Sequence, residues 1–117
     1  MGNSRRRSER AGDDERTSGI RQVRLQELIR EELNQLLRNE IRDERLTTVV
    51  ATMVELSRDG SCARVWFSDD NEDGEEALER AAGFLRSRLA EALDLKRTPE
   101  LRFRRDRATR ALREEVP

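Results

Sequence analysis

The chain has no histidine and no tyrosine, and only one cysteine and one tryptophan in 117 residues. Without histidine, the commonest general base and the commonest metal ligand are both missing. Cys62 has no second cysteine to bridge to, which fits a reducing, cytoplasmic compartment. It also lacks a histidine to activate it, so packing is the better reading than nucleophile. The aromatic residues are Trp66, Phe67, Phe84 and Phe103, a scarcity that argues against a base-stacking platform. No apolar run approaches the roughly 18 residues of a membrane helix, and no signal-peptide core follows the start. Met1-Gly2 opens like a myristoylation signal, but Arg6 stands where that pattern needs serine or threonine. No phosphate-cradling glycine loop or paired-carboxylate motif is present in a recognisable frame. The expectation is a protein that is not an enzyme and carries no cofactor.

Charge is abundant: 42% of residues are charged and 34% hydrophobic, enough for one small core. The net charge of −1 conceals an uneven distribution. Residues 69–79 hold seven acids and no base, whereas residues 96–110 hold seven bases against Glu100 and Asp106. A local basic face binds phosphate even when the whole chain is slightly acidic.

Residues 1–18 are polar, without apolar periodicity, and read as a disordered tail. Next, Val23, Leu25, Leu28, Ile29, Leu33, Leu36, Leu37 and Ile41 recur at helical steps, predicting a helix over 20–41 capped by Ser18. The β-branched stretch 47–57 predicts a strand. Asp59-Gly60 marks a hairpin into a second strand, 62–68, with Ala63, Val65 and Phe67 on one face and Cys62, Arg64 and Trp66 on the other. The acidic turn 69–74 resembles a calcium loop only in part. Arg80 occupies the twelfth position, where that loop needs glutamate, so the acids are read as complementing a helix dipole.

Helical spacing resumes from 75 to 95 with Leu78, Ala81, Ala82, Leu85, Leu89, Ala92 and Leu93. Gly83 interrupts it, either as a tolerated glycine or as a hinge between two helices. Pro99 then precedes a third strand, 100–104. The expected architecture is α+β, α-β-β-α-kink-α-β, with helices on one face of a three-stranded sheet. The domain spans 19–105, and a basic C-terminal segment, 106–117, is either a short helix or disordered.

This order of elements resembles the KH-type RNA-binding fold in its bacterial, type II arrangement. The Gly-x-x-Gly clamp of most KH domains is absent, since no two glycines lie three apart. Ala81-Ala82-Gly83 is similar to the Ala-x-Gly kink that replaces the clamp in the ribosome-binding factor A family. Other stretches resemble that family too: Glu40-Ile41-Arg42-Asp43-Glu44-Arg45-Leu46, Val54-Glu55-Leu56-Ser57-Arg58-Asp59, Ala82-Gly83-Phe84-Leu85-Arg86-Ser87 and Pro99-Glu100-Leu101-Arg102-Phe103. Together they cover about residues 21–104. Glu44 stands where the family usually has proline.

The resemblance implies a non-catalytic, cytoplasmic, monomeric assembly factor. It would bind the immature small ribosomal subunit through its rRNA, assist 5′-end processing and growth in the cold, and meet other assembly factors. It also favours the hinge reading of Ala81, Ala82 and Gly83. Candidate RNA contacts are Arg45, Arg58, Arg86, Arg88, Lys96, Arg97, Arg102, Arg104 and Arg105, because the arginine fork pairs well with phosphate. The structural alternative is carboxylate pairing with Asp43 or Asp59 for Arg45 and Arg58, the dipole of a helix C-terminus for Lys96 and Arg97, and an exposed strand face for Arg102 and Arg104. The rival functional reading is a protein-interaction module docking a basic partner through the acidic turn, 69–79.

Overall fold

The computed structural model describes residues 2–70 and 72–107, with side chains described from Gly19 onward. In chain order, α1 (Gly2–Asn39) leads through a short 3-10 turn (Glu44–Leu46) to β1 (Val50–Leu56) and β2 (Cys62–Ser68). α2 (Gly74–Leu93) and β3 (Glu100–Arg105) follow. The sheet order is β1-β2-β3, with β1 antiparallel and β3 parallel to β2. The fold is α+β, two helices packed on one mixed sheet.

Alternation along the strands builds the core. Ala63, Val65 and Phe67 of β2 are all within 1% of full burial. They pair in register with Leu56, Val54 and Ala51 on one side. On the other, Ala63 and Val65 pair with Leu101 and Phe103. Ile29, Leu33, Leu36 and Leu37 of α1 and Leu78, Leu85 and Leu89 of α2 close over this face. Phe67, Leu85 and Leu89 are fully buried, and truncating any of them to alanine would cost about 2–5 kcal/mol.

Several expectations change. α2 is one helix of 20 residues, unbroken across Ala81, Ala82 and Gly83. The predicted pair of helices separated by a kink is therefore a single element. Glycine costs only about 1 kcal/mol inside a helix, and the anchoring of Leu78, Leu85 and Leu89 on the sheet carries the helix through it. A Cβ built on Gly83 would meet nothing within 4 Å, so no close helix contact requires glycine there either. The backbone of α1 runs from Gly2, through the stretch expected to be a disordered tail. Extending an established helix fixes one residue per added hydrogen bond and avoids the cost of a new nucleus. Ser18 therefore caps no helix start. Val23 and Leu28 are exposed, not core. Leu28 lies about 100° around the helix from the buried Ile29, and so falls off the buried stripe. β1 starts at Val50, later than predicted, because Thr47 closes the preceding turn through Oγ1 to the Glu44 carbonyl at 2.8 Å. Of the expected C-terminal segment, residues 108–117 lie outside the described residues.

The two sheet edges are treated differently. At β1, α1 side chains satisfy the free backbone: Asn34 donates to the Ala51 carbonyl at 3.0 Å and accepts from its amide at 2.8 Å. Gln26 accepts from the Leu56 amide at 2.9 Å, and Gln22 donates to the Ser57 carbonyl at 2.8 Å. At β3, nothing comparable covers the edge among the described residues. Bare edges are the usual place for a further chain to pair.

The hairpin loop turns at Gly60, whose φ of +73° suits glycine. The Asp59 carboxylate organises the loop, accepting from the Ser61 amide at 3.0 Å and from the Ser61 and Ser57 hydroxyls at 2.7 and 2.9 Å. Ser61 above all, then Ser57 and Arg97, lowers its pKa from 3.8 to about 2. A depressed folded-state pKa contributes stability above the unfolded value and loses it as pH falls toward the folded one. Asp59→Ala should therefore lower the Tm at pH 6, and the gap to wild type should narrow as pH drops from about 4 to about 2. A gap of constant size across that range would contradict this role.

The glycines of α2 make a second prediction. A Cβ at Gly74 would fall on the Asp69 carboxylate and lie 3.1 Å from Val49 Cγ2. Gly74→Ala should destabilise by about 1–3 kcal/mol through overpacking, whereas Gly83→Ala should stabilise by about 0.5–1 kcal/mol. Thermal denaturation of the two variants checks this; a lower Tm for Gly83→Ala would show that the site needs glycine.

Candidate nucleic-acid interface

The predicted cationic residues separate into two classes by what their guanidinium groups hold. Arg86 is half-buried on α2, and it donates to the Pro99 carbonyl at 2.9 Å and the Thr98 carbonyl at 3.2 Å. It ties the end of the α2–β3 connection to the helix and positions the start of β3. Arg88 forms a two-point bond with Glu40, at 2.9 and 2.7 Å, and a third contact to Glu91 at 3.1 Å. This joins α2 to the end of α1, and its hydrogen bond to Glu40 raises the Arg88 pKa. Arg45 is forked onto Asp43, at 3.1 and 2.8 Å, while the same carboxylate caps the 3-10 turn by accepting from the Arg45 amide. Their side-chain bond raises the Arg45 pKa and lowers that of Asp43. For these three arginines, carboxylate or carbonyl pairing describes the structure.

The remaining cations are free or loosely held. The hairpin loop and the connection before β3 meet where the Glu100 amide donates to the Ser61 carbonyl at 2.9 Å. Exposed Arg58 and Arg97 lie at this end, with Lys96 beside Arg97 in sequence. Asp59 bonds the loop serines, and Arg58 has no ion pair among the described residues. At the opposite end, Arg105 lies over the Phe67 ring at 5.1 Å and donates to the Glu72 carbonyl at 3.5 Å. The predicted cluster is thus spread along the sheet rather than gathered after Gly83.

Arg102 and Arg104 lie between these ends, on the sheet face that no helix covers among the described residues. Alternation in β3 sends Leu101 and Phe103 inward and these two outward. Arg102 is opposite Arg64, and Arg104 opposite Trp66. Arg64 was absent from the sequence-based candidates, although its place beside Trp66 on the outer face of β2 was legible. Its partner Glu55 is 3.7 Å away, and Glu100 is 3.9 Å from Arg102. All four side chains are at least half exposed, so such pairs are worth little and exchange readily for other anions. Arg104 has no ion pair among the described residues.

A groove of about 420 Å³ runs along the open β3 edge, between Leu101–Arg104 and the α2 residues Glu75, Glu79 and Ala82. Its helix wall is acidic, and its strand wall carries Arg102 and Arg104 together with Glu100. Among the described residues, no group of acids and cysteine is arranged to hold a metal ion, and no helix is long and apolar enough to cross a membrane.

Comparison with known proteins bears on this geometry. The family model described as ribosome-binding factor A matches residues 21–114. The ribosome-binding factor A of Ruthia magnifica is 46% identical over 98 residues, covering 81% of this chain and 87% of that protein. The crystal structure of ribosome-binding factor A from Thermus thermophilus superposes with a TM-score of 0.69 at 28% identity, covering 74% of this chain and 97% of that one. A homology model of the Thermus thermophilus factor, fitted into the cryo-electron microscopy map of a 30S complex, matches with a TM-score of 0.55 at 31% identity over 69% of this chain and 94% of that one. By sequence and by fold, the chain belongs to the ribosome-binding factor A family.

Proposed function

We propose that the protein is a non-catalytic factor that binds the immature small ribosomal subunit through its rRNA. Family membership carries this reading, together with the likeness to the factor fitted into a 30S complex. The expected role is late maturation, including 5′-end processing of the small-subunit rRNA and support of growth in the cold. It would act in the cytoplasm as a monomer.

The physics of the surface supports RNA as the ligand. Phosphate contacts supply most of the affinity in such complexes and make it salt-dependent. The cations suited to this are those held by no short hydrogen bond among the described residues: Arg58, Arg97 and Arg104, with Lys96 and the loosely paired Arg64 and Arg102. Arg45, Arg86 and Arg88 instead hold the scaffold on which the others are displayed.

One observation favours a second reading. The groove on the open β3 edge has Glu75 and Glu79 on its helix wall. A basic, extended polypeptide could pair with the strand backbone there while its cations met the acids. Other assembly factors or ribosomal proteins are the matching partners, and their capture would survive nuclease treatment.

The two classes of arginine make a testable contrast. Binding to purified small subunits should weaken steeply with salt, and Arg102→Ala or Arg104→Ala should each reduce the slope of log K against log[salt] by roughly 0.7–0.9 with the Tm unchanged. Arg86→Ala should instead lower the Tm. A slope unchanged in both outer-face variants would remove that face from the interface.

A further inference from the structure

The outer face of the sheet carries more than arginines. Trp66, the only tryptophan of the chain, sits at the centre of this face on the middle strand. Register places Met53 of β1 on one side of it and Arg104 of β3 on the other. Met53 and Val50 are about half exposed, at 48% and 47%, and both belong to this outer face. The Arg64 guanidinium lies 5.6 Å from the centroid of the Trp66 ring. An open depression of about 520 Å³ continues from Trp66 past Arg104, Arg105 and Arg107, bounded by Asp106 and Glu75.

We infer that this face binds single-stranded RNA, with a base stacking on Trp66 and Met53 and the flanking phosphates bridging Arg64, Arg102 and Arg104. The proposal rests on the small-subunit reading above and names the surface and the form of RNA it takes. Composition alone pointed the other way, because four aromatic residues are too few for a conventional stacking platform. The fold changes that: three of the rings belong to phenylalanines, while the tryptophan alone is turned to the face opposite α1 and α2, among cations. Stacking on one aromatic and on arginine planes is how unpaired bases are commonly held.

Charge decides the occupant. Arg64, Arg102 and Arg104 are arrayed around one apolar strip, and their carboxylate neighbours Glu55 and Glu100 stand off at 3.7 and 3.9 Å. These long, exposed pairs leave the guanidinium forks available to a polyanion. A second copy of the chain would place three arginines against three more, which opposes self-association through this face. Duplex RNA offers phosphates but no unstacked base, so the ring adds nothing to its binding.

Because Trp66 is the only tryptophan, its emission reports directly on this face in the unmodified full-length chain. The probe is a ten-residue oligouridylate, with binding followed independently by anisotropy of a labelled copy. The expected result is quenching of Trp66 emission that saturates with the anisotropy curve, and no quenching by a duplex of equal length. Trp66→Ala should weaken the oligonucleotide roughly ten- to hundredfold, and Trp66→Phe, which keeps a ring, should recover most of it. Emission that stays constant while the anisotropy saturates would overturn the proposal, as would absence of oligonucleotide binding. Emission that changes with protein concentration in the absence of RNA would show that a second copy covers the face, and would equally overturn it. Pelleting of wild type with purified small subunits separates the two readings. Retained pelleting without quenching defeats this proposal alone, whereas loss of pelleting defeats the small-subunit reading beneath it.

Discussion

Everything in this small domain follows from covering one face of a three-stranded sheet with two helices and, among the described residues, leaving the other open. Successive residues of a strand point to opposite faces, so the same seven residues of β2 serve both purposes. Ala63, Val65 and Phe67 are buried beneath α1 and α2, while Arg64 and Trp66 face away from them. β3 repeats the division, with Leu101 and Phe103 inside and Arg102 and Arg104 outside. A one-residue slip in register would exchange core for surface across the whole sheet. The apolar packing that stabilises the domain is thus also what holds its outward cations in fixed positions.

The stretches that resemble the ribosome-binding factor A family mostly build this frame. Glu40 grips Arg88, Asp43 grips Arg45, and Arg86 holds the carbonyls leading into β3. Each joins segments that the core alone would leave loosely connected: the end of α1 to α2, the 3-10 turn to its own cap, and α2 to the last strand. α1 adds a further constraint by satisfying the β1 edge through Asn34, Gln26 and Gln22. Only the β3 edge and the outer face stay open to a partner among the described residues, and both lie beside Arg102 and Arg104.

The strands, their alternation and the hairpin were legible because period-two patterning and Asp59-Gly60 are local signals. The main helices were legible from their apolar stripes, although Val23 and Leu28 match that spacing only approximately and are exposed. Helix continuity through Gly83 was not legible. A glycine weakens a helix locally, and whether it breaks depends on anchors on either side, here Leu78 and Leu85. Nor could the sequence sort the arginines. The partner of Arg88 lies 48 positions away, at Glu40, and the acceptors of Arg86 are backbone carbonyls that no side-chain pattern marks. Arg64 is inconspicuous in the sequence for the reverse reason: basic residues are dense at 96–110, whereas the sheet gathers Arg64, Arg102 and Arg104 from two strands.

The central claim is that this fold serves the immature small ribosomal subunit. A sucrose-gradient sedimentation profile of lysate from cells producing the full chain tests it most directly. The account predicts co-migration with free small subunits, and little protein with assembled ribosomes or polysomes. Absence from the small-subunit fractions, or equal distribution over assembled ribosomes, would contradict it.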